Sequence, residues 1–259
     1  MRSAVLLVAA VLSASHSRIV EVVGESGDAG PSPRLVVMDA DGSHARLRLN
    51  WVTGASLDPH ARFVAYAPRT STLEIWVVAL DARGRGRRVV TNGYEPDWSP
   101  TGSSLAFTRD APRRQAGVWT ADLRGGRKQR LVLRGAGQPN WSPNGTKLAA
   151  VRGGDIWVVD TASGSARRLI RNGYWPRWSP DGRRLAFVRD NGMTTAIYVA
   201  NADGSAQRRV AEGEAPAWSP DGSELAACDF TRVVRMRPDG THRRVVYRGA
   251  PGCEGLDWG

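Results

Sequence analysis

The chain has 259 residues, 41% of them hydrophobic, and a formal charge of +11. This excludes disordered and collagen-like classes and leaves room for one large all-β fold or two smaller domains. The positive charge is almost wholly arginine, since lysine occurs only at Lys128 and Lys147.

Taken from the start, Met1-Arg2 precedes an apolar run over residues 4–12, and Ser13-Ala14-Ser15 follows it. A charged start, an apolar stretch and small residues for cleavage make a secretory signal, and the run is too short for a stable bilayer span. The expectation is a signal over residues 1–17, one domain over 18–259, and an exported protein of bacterial type. Residues 19–23 then read as a strand and 24–33 as a Gly/Ser/Pro-rich loop. Residues 35–38 and 46–49 read as two more strands joined by an Asp41-Gly42 turn.

From there one phrase repeats. Trp98-Ser99-Pro100-Thr101-Gly102, Trp141-Ser142-Pro143-Asn144-Gly145, Trp178-Ser179-Pro180-Asp181-Gly182 and Trp218-Ser219-Pro220-Asp221-Gly222 are copies of it. Leu57-Asp58-Pro59 is a degenerate copy, and Trp258 stands alone at the end. The spacing of about 40 residues marks a repeat architecture. After each anchor comes an apolar triplet such as Leu105-Ala106-Phe107 or Leu185-Ala186-Phe187, then a second such as Val118-Trp119-Thr120 or Ile197-Tyr198-Val199. An Arg-led strand, as in Arg88-Val89-Val90, closes the unit. Four short β-rich runs per repeat, separated by Gly, Pro, Asp and Asn, make one propeller blade. The Asp-Gly and Asn-Gly pairs suit tight hairpins, and the recurring Trp suits the wedge between blades. The three N-terminal strands lack a first strand, and residues 254–258 supply one. The expected fold is therefore an all-β, six-bladed propeller with four antiparallel strands per blade. Its sixth blade is closed by the N-terminal strands plus the C-terminal strand.

Tandem Trp-Ser-Pro-Asp-Gly followed by Leu-Ala-Phe resembles the repeats of TolB-type β-propellers, which are also found in propeller domains of prolyl-oligopeptidase-like enzymes. The resemblance covers residues 34–258 and implies the fold more specifically than any function. It would also place a small α/β domain ahead of the propeller. The sequence has no counterpart to that domain, so the reading does not extend to a Tol–Pal-like system.

Much of the arginine recurs at one place, the entry to the fourth strand: Arg87-Arg88, Arg130, Arg167-Arg168, Arg208-Arg209 and Arg243-Arg244. In a propeller that strand is outermost, so the charge forms a ring around the rim. A nucleic-acid site needs a patch or stripe, and none is expected. Cys228 falls at the end of a second strand and Cys253 in the loop before the C-terminal first strand, on the same face of adjacent blades. A disulfide across the closure is the expectation in an oxidising compartment, the alternative being two separate thiols. Two cysteines alone would underfill a metal site.

Catalytic patterns are missing. There is no Gly-x-Ser-x-Gly elbow, no His-Glu-x-x-His and no P-loop. His16 lies in the expected signal, and His44, His60 and His242 at turns. Segments 39–43 and 201–205 echo the opening of a calcium loop but lack its twelfth-position acid, and they read as hairpin turns. No catalytic residue, metal or cofactor is expected. The repeats cease to agree where the first strands begin, at the mouth of the central channel. Tyr94, Glu95, Asp97, Asn140, Tyr174, Trp175, Arg177, Glu214 and Asp257 are the candidate partner-binding residues there, with Tyr94, Tyr174 and Trp175 as aromatic anchors on loops. With Glu212 and Glu254 added, this mouth is acidic and suits a cationic segment. The functional expectation is an exported, monomeric, non-enzymatic scaffold that binds a protein or peptide partner. The rival readings are a channel-centred lyase or hydrolase using Asp97, Asp257 and Glu95, and a detached propeller of a prolyl-oligopeptidase-like system.

Overall fold

The computed structural model describes residues 6–7, 10–12, 16–23, 34–43, 46–50, 52–68, 72–80, 86–110, 115–124, 128–190, 192–229, 232–248, 255–256 and 258. Every regular element among them is a β-strand. The chain opens with β1 (Leu6–Leu7), β2 (Ala10–Leu12), β3 (His16–Val23), β4 (Arg34–Asp39) and β5 (Arg46–Asn50). The first blade is β6 (Val52–Leu57), β7 (Phe63–Pro68), β8 (Glu74–Ala79) and β9 (Arg87–Thr91). The second is β10 (Tyr94–Trp98), β11 (Ser104–Arg109), β12 (Gly117–Asp122) and β13 (Gln129–Arg134). The third is β14 (Ala136–Trp141), β15 (Lys147–Arg152), β16 (Asp155–Asp160) and β17 (Ala166–Ile170). The fourth is β18 (Tyr174–Trp178), β19 (Arg184–Asp190), β20 (Thr195–Asn201) and β21 (Arg208–Glu212). The fifth is β22 (Glu214–Trp218), β23 (Leu225–Asp229), β24 (Arg232–Met236) and β25 (Arg244–Arg248), and β26 (Gly255–Leu256) ends the series.

Five sheets are therefore four-stranded antiparallel blades in simple sequential order, and the expectation of six such blades is corrected to five. The terminal strands form a different object, a six-stranded sheet of order β26-β1-β3-β4-β5 with β2 paired to β3. The C-terminal strand does not pair antiparallel with residues 19–23 as a sixth blade requires. Instead β1 lies between them, parallel to β26 and antiparallel to β3. The apolar run read as a signal thus contributes β1 and β2, and β3 starts at His16, inside the stretch assigned to that signal. A short apolar run can satisfy its backbone in a sheet as readily as serve as a targeting segment, and its composition does not separate the two. The closing sheet still completes the ring, with β26 against β22 and β1 against β6.

The repeated phrase builds one turn, used at the end of each blade's first strand. In the four full copies the glycine N–H donates to the serine carbonyl at 2.8 Å, with the glycine at φ between 63 and 70°. Proline occupies the second turn position, where its fixed φ fits. The serine side chain then accepts a hydrogen bond from the backbone where the next strand begins, at 3.0 Å from Ser104 and 2.9 Å from Lys147, Arg184 and Glu224, the last just ahead of β23. The degenerate copy performs the same task with a carboxylate: Asp58 accepts from Arg62 and Phe63 N–H at 2.6 and 2.7 Å. The glycine also sits close to the preceding blade, since a Cβ on Gly182 would lie 3.2 Å from Pro143. Segments 39–43 and 201–205 are likewise hairpin turns, in which Asp41 and Asp203 each accept a backbone N–H at 2.8 Å.

The anchor tryptophans sit between blades. Trp98 packs with Ala65, Ile75, Val90 and Phe107 in a cluster drawn from the first two blades. Trp218 and Trp258 share a larger cluster that joins the fourth and fifth blades to Val36, Met38 and Ala40 of the closing sheet. The seam there is held by Arg235, which donates to the Ala40 carbonyl at 2.8 Å, stacks 4.4 Å from the Trp258 ring and pairs with Glu224.

Arginine is largely engaged in structure. At the fourth strands, Arg88 pairs with Glu74, Arg168 with Asp155, Arg209 with Glu212, Arg243 with Asp229 and Arg244 with Glu224. Arg109 and Arg189 repeat one clamp two blades apart. Each lies over the aromatic residue of its third strand, Trp119 or Tyr198, and donates to the carbonyl of Asn92 or Asn172.

The buried serine turn yields a direct test. Ser179, fully buried, accepts from the Arg184 N–H and donates to its own turn. Ser179→Ala is expected to lower stability by about 1–3 kcal/mol by leaving the Arg184 N–H without its acceptor. Urea unfolding checks this, and the equivalent change at exposed Ser223 is expected to stay within about 0.5 kcal/mol.

Candidate binding site at the channel mouth

The first strands of the second to fifth blades carry the same break in register: Tyr94/Asp97, Gly137/Asn140, Tyr174/Arg177 and Glu214/Ala217 are the bulged steps. At each bulge one residue takes a left-handed backbone, Glu95 (φ 50), Gln138 (φ 53), Trp175 (φ 47) and Ala215 (φ 52), with proline next. A bulge re-aims the side chains on either side of it. In the second and third blades it sends two side chains across to the neighbouring first strand.

Two chains of hydrogen bonds result. In one, the residue before each anchor captures the next anchor's backbone. Ser56 accepts from the Trp98 N–H at 3.2 Å, Asp97 from Trp141 at 2.7 Å, and Asn140 from Trp178 at 2.8 Å. Asn140 also donates to Asp97 at 3.2 Å. In the other, the bulge residue itself acts. Glu95 accepts from the Gln138 N–H at 2.9 Å, and Gln138 accepts from the Trp175 N–H, also at 2.9 Å. Thr108 adds a hydroxyl hydrogen bond to Glu95 at 2.6 Å.

Glu95, Asp97, Asn140, Trp175 and Arg177 are thus brought to one wall formed by the first strands of the second, third and fourth blades. Burial pushes the Glu95 carboxyl above the usual range, against the lowering effects of Thr108, Gln138 and the Arg177 charge. Tyr94 stands apart, donating to Asp110 at 3.1 Å, and burial raises its phenol. Tyr94, Tyr174 and Trp175 belong to the first strands rather than to loops. Tyr174 is 39% exposed, and Trp175 is half-buried against the core. Glu214 opens β22 opposite Cys228. Glu212 is paired with Arg209. Asp257 and Glu254 lie outside the described residues, as do His44 and Cys253; Cys228 is 2% exposed, and no described cysteine is a free thiol. Gln138, Thr108 and Ser56 had no place among the sequence-derived candidates; Ser56 shares with Asp97 and Asn140 the position just before an anchor and Gln138 shares with Glu95 the position three before it, while Thr108 carried no such signal.

The mouth face also carries exposed apolar side chains. Leu73 precedes β8, Met193 precedes β20 and Tyr174 opens β18, with exposures of 40, 92 and 39%. Among the described residues there is no group of three or more potential metal ligands, and no helix long and apolar enough to cross a membrane.

A family model described as the TolB beta propeller domain matches residues 63–246. Among solved structures, the chain is similar to TolB from Acinetobacter baumannii (TM-score 0.80, 22% identity), over 93% of this chain and 66% of that one. It therefore spans just under two thirds of that protein's length. It is also similar to a TolB-type structure from Agrobacterium tumefaciens (TM-score 0.69, 20% identity, 80% and 86% covered). A puromycin-hydrolyzing peptidase from Mycobacterium tuberculosis shares the fold at TM-score 0.61 and 19% identity, over 95% of this chain and 44% of the peptidase. No curated protein matches.

The raised Glu95 carboxyl makes stability depend on pH. Its folded-state affinity for a proton exceeds the unfolded one, so its contribution is complete below the ordinary carboxylate range and is lost as pH rises through the folded value. Glu95→Gln keeps an acceptor for Thr108 and Gln138 and removes the buried charge. Thermal unfolding from pH 4 to 8 is expected to show the variant gaining on the parent as pH rises. Glu95→Ala, which removes the shared acceptor and leaves the Gln138 N–H only the Thr108 hydroxyl, is expected to lie about 1–3 kcal/mol below Glu95→Gln at every pH.

Proposed function

The chain belongs to the TolB β-propeller family, and we propose that it serves as an exported, non-enzymatic scaffold that holds a protein or peptide partner at the channel mouth. The observation that carries this reading is the exposure of Tyr174 and Met193 in the fourth blade, and of Leu73 in the first, on the face where the first strands begin. Aromatic and methionine side chains are enriched where proteins bind one another, and their burial supplies most of the affinity. Trp175 and Arg177 flank Tyr174 on the same strand and complete an aromatic and cationic edge. The likeness to TolB structures supports a scaffold through the fold alone. The enzymatic alternative draws on the peptidase likeness, also fold alone, while Asp97 and Glu95 are both engaged between blades.

Export supports a second assignment. Cys228 is buried beside the closing sheet's core cluster, and we pair it with Cys253. In the oxidised protein, Cys253→Ser is expected to lower stability by about 2–4 kcal/mol. In the reduced protein the same change is expected to have little effect, which denaturant unfolding with and without reductant reads.

The scaffold reading is tested by crosslinked capture from cell-envelope extract, comparing the parent with two variants. Tyr174→Ser/Met193→Ser changes exposed side chains and is expected to fold like the parent while losing the captured partner. Replacing Tyr94, Tyr174 and Trp175 with Ala is expected to lose it too, with some loss of stability because Trp175 packs on the core. Equal capture by the parent and the folded double variant would refute the mouth as the binding surface.

A further inference from the structure

On the opposite face, where the Ser-Pro turns lie, the junction between the first and second blades opens into a cleft of about 520 Å³. Its size is that of a small-ligand pocket. The floor is apolar, formed by Phe63, Val77, Ala79 and Trp98, and the rim is basic, formed by His60, Arg62, Arg87 and Arg124. Among the described lining residues the one acid is Asp58, which is buried, accepts the Arg62 and Phe63 N–H groups and lies 4.0 Å from the Arg62 guanidinium.

This junction differs from that of the fourth and fifth blades at the position that opens the second strand. At the junction of the fourth and fifth blades, Arg184 opens β19, stacks 4.6 Å from the next anchor Trp218 and donates to the Gly222 carbonyl at 3.0 Å. Its side chain covers the seam. In the first blade the same position, the opening residue of β7, is Phe63, which is 37% exposed. Phenylalanine can neither reach the facing carbonyl nor cap the anchor with charge, so the seam beside Trp98 stays open.

The rim is distinct as well. Most arginines at the fourth-strand entries have an acid or a carbonyl as partner, but Arg87 has no ion pair among the described residues, and neither has Arg124. Two exposed arginines thus line the cleft beside its aromatic residues, with no acid paired to them among the described residues.

We infer that this cleft binds an apolar carboxylate: an aromatic or branched body on Phe63 and Trp98, and a carboxylate between Arg87 and Arg124. Guanidinium groups match a carboxylate in geometry and charge, and the ring faces bury its apolar part. The same chemistry is offered by a free organic acid and by the C-terminal residue of a polypeptide. The site is independent of the mouth on the other face.

The test is calorimetric titration of the full chain with N-acetyl-phenylalanine and with its amide. The acid is expected to bind and the amide to bind at least about tenfold more weakly. Arg87→Gln/Arg124→Gln is expected to weaken the acid by a similar factor. Phe63→Arg, which restores the residue type that fills the other junction, is expected to abolish binding even though it adds positive charge. That separates a shaped site from general attraction of anions to a basic protein. The folded Tyr174→Ser/Met193→Ser variant is expected to bind the acid like the parent, so failure of the mouth reading and failure of this one are distinguishable. Equal binding of acid and amide, unchanged binding by Phe63→Arg with its fold intact, or no binding of the acid would each overturn the inference. A hexapeptide ending in a phenylalanine carboxylate assigns the source: tighter binding than the small acid points to a polypeptide terminus, and weaker binding to a free acid.

Discussion

Neighbouring blades of a propeller share no backbone ladder, so the ring depends on side chains reaching from one blade to the next. In the first half of the ring the decisive contact is the capture of an anchor's backbone N–H by the residue that precedes the previous anchor. Ser56, Asp97 and Asn140 do this in turn for Trp98, Trp141 and Trp178. A backbone N–H buried between sheets must find an acceptor, and the cross-blade acceptor satisfies it while fixing the angle between blades. The anchor indole then fills the wedge, and the Trp98 and Trp218 indole N–H groups reach back to the Ser56 and Arg177 carbonyls. Turn, wedge and capture thus occupy consecutive residues, which is why so short a phrase can organise the whole chain.

This explains what could be read in advance. Each repeat's strands, hairpin turns and wedge tryptophan were legible because the same local physics recurs with one period. Even the degenerate Leu57-Asp58-Pro59 copy could be placed, since Asp58 replaces the serine acceptor. The closure was not legible in the same way. It occurs once, so no period supports it, and an apolar stretch such as residues 4–12 carries no mark of whether it leaves the protein or pairs beside β26. The five regular blades followed from repetition; the mixed terminal sheet did not.

The site residues were partly legible for a related reason. The positions before the anchors differ in identity, Ser, Asp, Asn, Arg and Ala, and read as variable loops that bind something. Through the third blade they agree in chemistry, since each is an acceptor, and their role is to join the ring. Gln138 escaped notice because its value lies in pairing with Glu95 and Trp175 across two blades, a relation that a single repeat does not display. The acidic mouth changes meaning accordingly. Asp97 is engaged, Glu212 is paired and Glu95 is driven toward its neutral form by burial, so exposed apolar surface, more than charge, distinguishes that face.

The two faces therefore vary under different constraints. Along the first strands the acceptor pattern holds through Asn140 and then stops. Arginine has only donors, and alanine has no polar side chain, so Arg177 and Ala217 cannot capture a backbone N–H. Once a position no longer has to hold the ring, its side chain can be selected for another task, and it is there that the exposed Tyr174 and the flanking Trp175 and Arg177 occur. On the opposite face the serine turns are nearly invariant, because each must close its own hairpin and seat its glycine on the previous proline. Variation there is confined to what covers the seam beside the anchor. Arg184 closes one seam, and Phe63 lines an open one beside two arginines that have no ion pair among the described residues. In both places the departure from the repeat falls where a structural hydrogen bond has been given up, and a repeat protein gains individual chemistry at those positions without disturbing the period that folds it.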